Sequence, residues 1–254
     1  MKEFLGIGGY ARQPEGWFSW QHLVFVSSLM VIMALLAFFL GRRNLEKPLN
    51  EKNRVLVAAA ILIDALELFK LGVFCYREGS FRTLLYNLPL FLCSIQLITI
   101  PLAAFSKGRV KEAALDFVFI FGLLGAVLGT YGAGQNYGAY PVLGVENVMS
   151  GLTHSIAGFC ALYIGFARMT SMKKRNIGIT FAILLFFCAA AYAVNRLIDY
   201  NYMFLMRGDG TPYDLLYNLV GGSPVLYPIL VAALFLLYIC VFYLIFFLIR
   251  QKKR

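Results

Sequence analysis

Apolar residues run through this chain in long blocks separated by short polar stretches. Seven blocks stand out, at 17–40, 55–75, 88–105, 113–131, 148–170, 177–198 and 225–249. A membrane-spanning helix needs about 20 mostly apolar residues, so these blocks nearly exhaust the chain. They predict an all-α polytopic membrane protein, a single domain of seven transmembrane helices. A membrane barrel would instead show short alternating segments. The second block is interrupted by Asp64, Glu67 and Lys70, and the third is short, with Pro89 near its start and Pro101 near its end. Proline is tolerated in spans where neighbouring groups satisfy the freed carbonyl. Residues 1–16 contain no apolar run, so no cleavable signal peptide is expected and the first span directs insertion.

Composition narrows the class further. Of 254 residues, 60% are hydrophobic and only 14% charged, against about 25% charged in soluble domains. Soluble globular and disordered chains are thereby excluded, and any chemistry falls to the spans and their short loops. The formal charge of +10 invites a nucleic-acid reading. Placement argues otherwise, because the basic residues cluster between apolar blocks as topology signals do. Sixteen Lys and Arg lie in the 41–54, 106–112 and 168–175 connections and the tail, and five lie on the opposite side. This places the N-terminus outside and the C-terminus in the cytoplasm of a multi-pass cell-membrane protein. Membrane lipids are the expected partners, and no nucleic acid is expected.

The loops carry less information. Gly132–Asn147 is rich in Gly and Tyr and lacks a nucleotide-binding GxGxxG, so it reads as an interfacial loop over the helix ends. Thr211-Pro212-Tyr213-Asp214 followed by Gly221-Gly222 predicts a short interfacial helix at 212–220. Gly125 and Gly129 form a GxxxG suited to close helix packing.

Ionisable groups in hydrocarbon cost free energy and persist where they pair or work. Here they share a depth. At a rise of about 1.5 Å per residue, His22, Cys93, His154 and Lys70 each lie roughly 8–9 Å below the outer ends of their spans. Glu67 and Asp64 lie deeper. Gln96, Tyr192 and Asn195 fall in the same outer half, with Asp199, Asn201 and Tyr202 at the rim. The inner half shows little comparable apart from Asp116. Asp64, Glu67 and Lys70 are spaced i, i+3, i+6 along one helix face, so several spans contribute to one outward-facing polar pocket.

A cysteine needs a base or a cation to become a thiolate at neutral pH. Cys93 with His154 or His22 meets that need, with Glu67 or Asp64 orienting the imidazole. Cys93 is equally readable as a packing residue or as half of a disulfide with Cys75. Cys160, Cys188 and Cys240 read as packing residues. Glu67 and Lys70 read as an i, i+3 ion pair, which is compatible with a site. No CxxC or HExxH spacing is present, so neither a metal nor another cofactor is expected.

At these residues the chain resembles a known family. Phe18-Ser19-Trp20-Gln21-His22 opens the first span, and Glu67-Leu68-Phe69-Lys70 lies in the second. Leu88-Pro89-Leu90-Phe91-Leu92-Cys93-Ser94 begins the third. Thr153-His154 lies in the fifth, and Asn201-Tyr202-Met203-Phe204-Leu205 follows the sixth. Together they resemble the YwaF-type bacterial integral membrane proteins, which are similar to eukaryotic transmembrane protein 164. The resemblance runs from about residue 17 to 240. It implies a lipid acyltransferase with Cys93 as acyl carrier and His154 as its partner. It departs from many bacterial relatives at Phe91, where they carry a histidine. Gln96, Asn195 or Asn201 would supply oxyanion donors. The alternative is a binding or transport protein, in which His22, Asp64, Glu67, Lys70 and His154 hold a zwitterionic or amino-acid-like ligand or a proton.

Overall fold

The computed structural model of the chain describes residues 1–170 and 172–251. It divides into two compact units, Met1–Asn87 with Gln96–Ser171, and Leu88–Ile95 with Met172–Arg254. The first unit contains α1 (Lys2–Leu5), α2 (Trp20–Arg43), α3 (Leu49–Glu78), α4 (Gln96–Phe105), α5 (Gly108–Tyr131), α6 (Gly134–Ala139) and α7 (Val145–Phe166). The second contains α8 (Ile177–Ile198), α9 (Asp214–Leu219) and α10 (Leu226–Gln251). No strand occurs among the described residues. Helices α2, α5, α7, α8 and α10 are long and apolar enough to cross a membrane.

Local chemistry explains the ends of these helices. Ser19 caps α2 by accepting from the His22 N–H at 3.2 Å. α3 starts after Pro48 and stops at Gly79, whose φ of 60° is left-handed. The third apolar block departs from expectation. Only its second part, α4, is helical, and its ten residues reach about 15 Å. Pro89 cannot donate a backbone N–H and restricts Leu88. Residues 88–95 therefore run as turns, with the Ile95 N–H bonded to the Phe91 carbonyl at 3.0 Å.

The core of the first unit is built from small residues. Ala37, Ala59, Ala60, Ala103, Ala114 and Ala157 pack with Leu56, Ile63, Ile100 and Tyr163. Small side chains let spanning helices approach closely, and dispersion then supplies the attraction. A Cβ on Gly122 would lie 2.6 Å from the Ala157 carbonyl, and one on Gly158 2.6 Å from Ala126 Cβ. These contacts hold α5 against α7, and Gly158 also admits Met33 of α2.

The basic end of this unit is more polar than the sequence implied. Lys52, 8% exposed, donates to the carbonyls of Leu45 and Ala167, each at 2.8 Å. Lys111 donates to the carbonyls of Ala103 and Ala104 and to Asn53 Oδ1. Asn44 donates to the Tyr163 hydroxyl, which donates to the Lys52 carbonyl. Thr170 donates to the buried carboxylate of Asp116. The expectation of little polarity in this half is therefore corrected. The two ammonium groups act mainly as caps on the negative ends of α4 and α7.

Candidate functional site

Both histidines meet α5, at adjacent positions. His154, on α7, donates from Nδ1 to the Ser150 carbonyl at 2.7 Å. The neutral ring therefore carries its lone pair on Nε2. Its imidazole lies against the backbone of α5 at Gly129, where a Cβ would stand 2.8 Å from Cγ and closer still to Cδ2 and Nε2. Gly129 of the GxxxG thus serves the histidine rather than only a helix backbone. His22, on α2, is fully buried. Its Nε2 lies 3.2 Å from the Thr130 carbonyl, and its Nδ1 accepts from the Phe18 N–H at 3.1 Å. The ring packs on Tyr137 at 3.9 Å between centroids. These contacts commit both ring nitrogens to backbone groups, so His22 ties the N-terminal segment, the end of α5 and α6 to α2.

The charged face of α3 contains the expected ion pair, Glu67 to Lys70 at 2.7 Å, with both side chains at least 85% buried. Lys70 also lies over the Phe74 ring. Asp64, half-buried one turn deeper, makes no ion pair among the described residues. Gln96 is the first residue of α4 and only 1% exposed. Its Oε1 accepts from the Thr99 hydroxyl at 3.2 Å, and its Nε2 has no hydrogen-bond partner among the described residues.

Cys93 belongs to the second unit, in the turn segment 88–95, half-buried and with Sγ 4.0 Å from the Ser94 hydroxyl. None of the five cysteines is in a disulfide. The same unit holds Asn195, Asn201 and Tyr202 in one tightly bonded turn. Asn195 Nδ2 donates to the Tyr202 carbonyl and its Oδ1 accepts from the Tyr202 N–H, at 3.0 and 2.7 Å. Asn201 donates to the Arg207 carbonyl and to Asp209, and accepts from the N–H groups of Met206 and Arg207. These bonds hold Met203 and Phe204 at left-handed φ of 56°. The Leu88 N–H donates to the Tyr202 hydroxyl at 3.0 Å. Burial pushes the Tyr202 phenol up to about 12, with the Leu88 bond acting the other way. Phe91 packs edge-on to Tyr202 at 5.0 Å, with Tyr200 and Phe204 around it. An aromatic ring at 91 is thus part of the fold of this turn.

One cluster escaped the sequence reading. Glu146, in the first turn of α7, accepts from the Tyr10 hydroxyl and from Arg77 at the end of α3. The Tyr10 oxygen also accepts from the Val145 N–H. Burial and the neighbouring Glu146 raise the Tyr10 phenol above its ordinary range. Glu15 binds the Val142 N–H at 2.7 Å and Trp17 the Tyr131 carbonyl at 2.7 Å. The N-terminal segment is thereby strapped across the end of the first unit opposite the basic one. Glu146 had a legible local role, an acid opening a helix, but nothing in the sequence named its partners.

The order of motifs, the apolar helices and the positions of these residues define an integral membrane protein with several spans. The chain belongs to the TMEM164 family, whose model matches residues 17–249. No curated protein and no solved structure matches it.

Proposed function

We propose that this protein is a seven-span cell-membrane enzyme that transfers acyl chains between lipids at the outer leaflet. In this reading α3 and the 88–105 segment, of which α4 is the helical part, complete the seven crossings, with the N-terminus outside and the C-terminus in the cytoplasm. Cys93 is the nucleophile and His154 the base. His154 Nε2 takes the thiol proton, and the sulfur attacks the ester carbonyl of a phospholipid. The carbon–oxygen bond then breaks, the leaving alkoxide takes the proton from His154, and a lysolipid departs from a Cys93 thioester. A second lipid hydroxyl reverses these steps.

The observation that carries this reading is the Nδ1 bond from His154 to the Ser150 carbonyl. A histidine held by Nδ1–H presents a basic Nε2, as a nucleophile–histidine pair requires. Membership of the TMEM164 family supports the lipid setting. The test uses protein in vesicles containing a phospholipid labelled in its acyl chain, plus an unlabelled lysophospholipid. Wild-type protein is expected to acquire label as a hydroxylamine-sensitive thioester and pass it to the lysolipid. Cys93→Ala abolishes both, and His154→Gln slows transfer by about 10²–10⁴-fold. Continued transfer by folded Cys93→Ala overturns the proposal.

A second reading draws on Asp64, which leaves the charged face of α3 with one net negative charge beyond the Glu67–Lys70 pair. Such a face suits a cation, a proton or the ammonium of a zwitterionic ligand. Under this reading Asp64→Asn abolishes binding or transport while Cys93→Ala is silent.

A further inference from the structure

Helices α2 and α7 meet at the basic end of the first unit with their backbones almost touching. A Cβ on Gly41 would collide with Phe166 Cβ and lie 3.4 Å from the Ala167 nitrogen. The residues just past this contact are cations, Arg42 and Arg43 on α2 and Arg168 after α7. All three are exposed, and none makes an ion pair among the described residues. Lys52 brings a further positive charge to the Ala167 carbonyl at 2.8 Å, also with no carboxylate partner among those residues. Glu51 is engaged by Lys47 at 3.9 Å, and Glu46 pairs with none of the four cations. Positive charge therefore gathers at one helix crossing without an internal counter-ion.

The backbone at Arg168 adds a second observation. Its φ of 52° is left-handed, where an L side chain is disfavoured and glycine is the ordinary occupant. The Arg168 N–H bonds the Gly165 carbonyl at 3.1 Å and the Met169 N–H the Ile164 carbonyl at 2.9 Å, which completes the end of α7. Glycine would close the same turn, so what arginine adds there is its exposed guanidinium. Apolar surface continues from these cations toward the middle of the helices. Leu35, Phe38 and Arg42 recur at i, i+3 and i+7 along one face of α2, and all are exposed. Phe38 meets Phe166 of α7 edge-on at 5.6 Å, and Phe166 is exposed as well. A soluble phosphate matches only the basic part of this surface. A phospholipid of net negative charge matches both parts, because guanidinium groups bind phosphate oxygens bidentately and the apolar strip accepts acyl chains.

We infer that the crossing of α2 and α7 binds an anionic glycerophospholipid, with its phosphate held by Arg42, Arg43 and Arg168 and its acyl chains along Leu35, Phe38 and Phe166. In the orientation proposed above this lipid belongs to the cytoplasmic leaflet, at the end of the unit opposite the N-terminal strap. The inference stands whether or not the protein transfers acyl chains.

The experiment follows thermal unfolding of the full chain in micelles containing phosphatidylglycerol or phosphatidylcholine with the same acyl chains. Phosphatidylglycerol at about 100 times its Kd is expected to raise the melting temperature by about 5–10 °C over phosphatidylcholine. Arg168→Gly, which relieves the left-handed residue, is expected to melt at or above wild type in phosphatidylcholine and to lose most of that rise. Arg42→Gln is expected to lose part of it. Lys107→Gln, the same charge change at an exposed position before α5, is expected to keep it. Equal melting in the two lipids overturns the site. So does a rise that survives in Arg168→Gly, or one that falls as far in Lys107→Gln, which would make the effect one of diffuse charge. An equal rise with inorganic phosphate in place of the lipid overturns the assignment of a phospholipid.

Discussion

Replacing Gly129 by alanine perturbs one atom, and the structure gives its consequence. The new Cβ would stand 2.8 Å from His154 Cγ and nearer to Cδ2 and Nε2. Carbon contacts become favourable at about 3.5–4.0 Å, so the ring, whose Cδ2 is the nearest atom, must retreat by well over about 1 Å or α5 must move from α7. The 2.7 Å bond from Nδ1 to Ser150 resists the first course. The close approach of Gly122 to Ala157 resists the second. Overpacking of this kind costs about 1–3 kcal/mol, and if His154 is the base of the proposed acyl transfer, a displacement of about 1 Å or more costs about 10²-fold in rate. Gly72 of α3 is the control, because its added Cβ meets nothing within 4 Å. Gly72→Ala should gain about 0.5–1 kcal/mol through helix propensity. Both variants are compared by thermal unfolding in detergent and by acyl transfer in vesicles. The expected order of stability is Gly72→Ala, wild type, Gly129→Ala. Gly129→Ala with wild-type melting and turnover would refute the argument that the glycine seats the imidazole.

Two further perturbations address the N-terminal strap. Arg77→Met leaves the Glu146 carboxylate, 6% exposed, without its cation; the expected loss is about 3–5 kcal/mol, measured by unfolding. Adding Glu146→Gln should restore part of it, and no restoration would contradict the pairing. The raised Tyr10 phenol contributes stability that is complete below its ordinary value of about 10 and is lost as pH climbs through the higher folded value. Melting temperature followed from neutral to alkaline pH should therefore fall less steeply in Tyr10→Phe than in wild type, and parallel curves would show that Tyr10 is not the linked group.

Much of the fold was legible because an apolar block of spanning length has few alternatives. The blocks at 17–40, 113–131 and 177–198 correspond closely to α2, α5 and α8. The 88–105 block misled because hydropathy registers side chains and not hydrogen-bonding capacity. Its first half is apolar, yet Pro89 withholds a donor and the helix waits until Gln96. The Glu67–Lys70 pair followed from i, i+3 spacing. The partners of His22 and Glu146 did not, since Thr130 and Arg77 are 108 and 69 residues away from them. Depth along a helix predicted that His22 and His154 stand near one level. Rotation about each helix, which decides that one ring faces Thr130 and the other Gly129, has no such simple rule.

The two capped helix ends bear on how insertion into the bilayer should be mapped. Lys52 and Lys111 add to the positive-charge bias as the nascent chain is read, yet in the folded protein they serve Ala167, Ala103 and Ala104. Neutralising either would weaken the insertion signal and uncap a helix at once, so a misfolded product could pass for an inverted one. Arg42 and Arg43, both exposed at the end of α2, offer the cleaner handle. Charge-swap reporters placed there would sense orientation with the tertiary structure left intact.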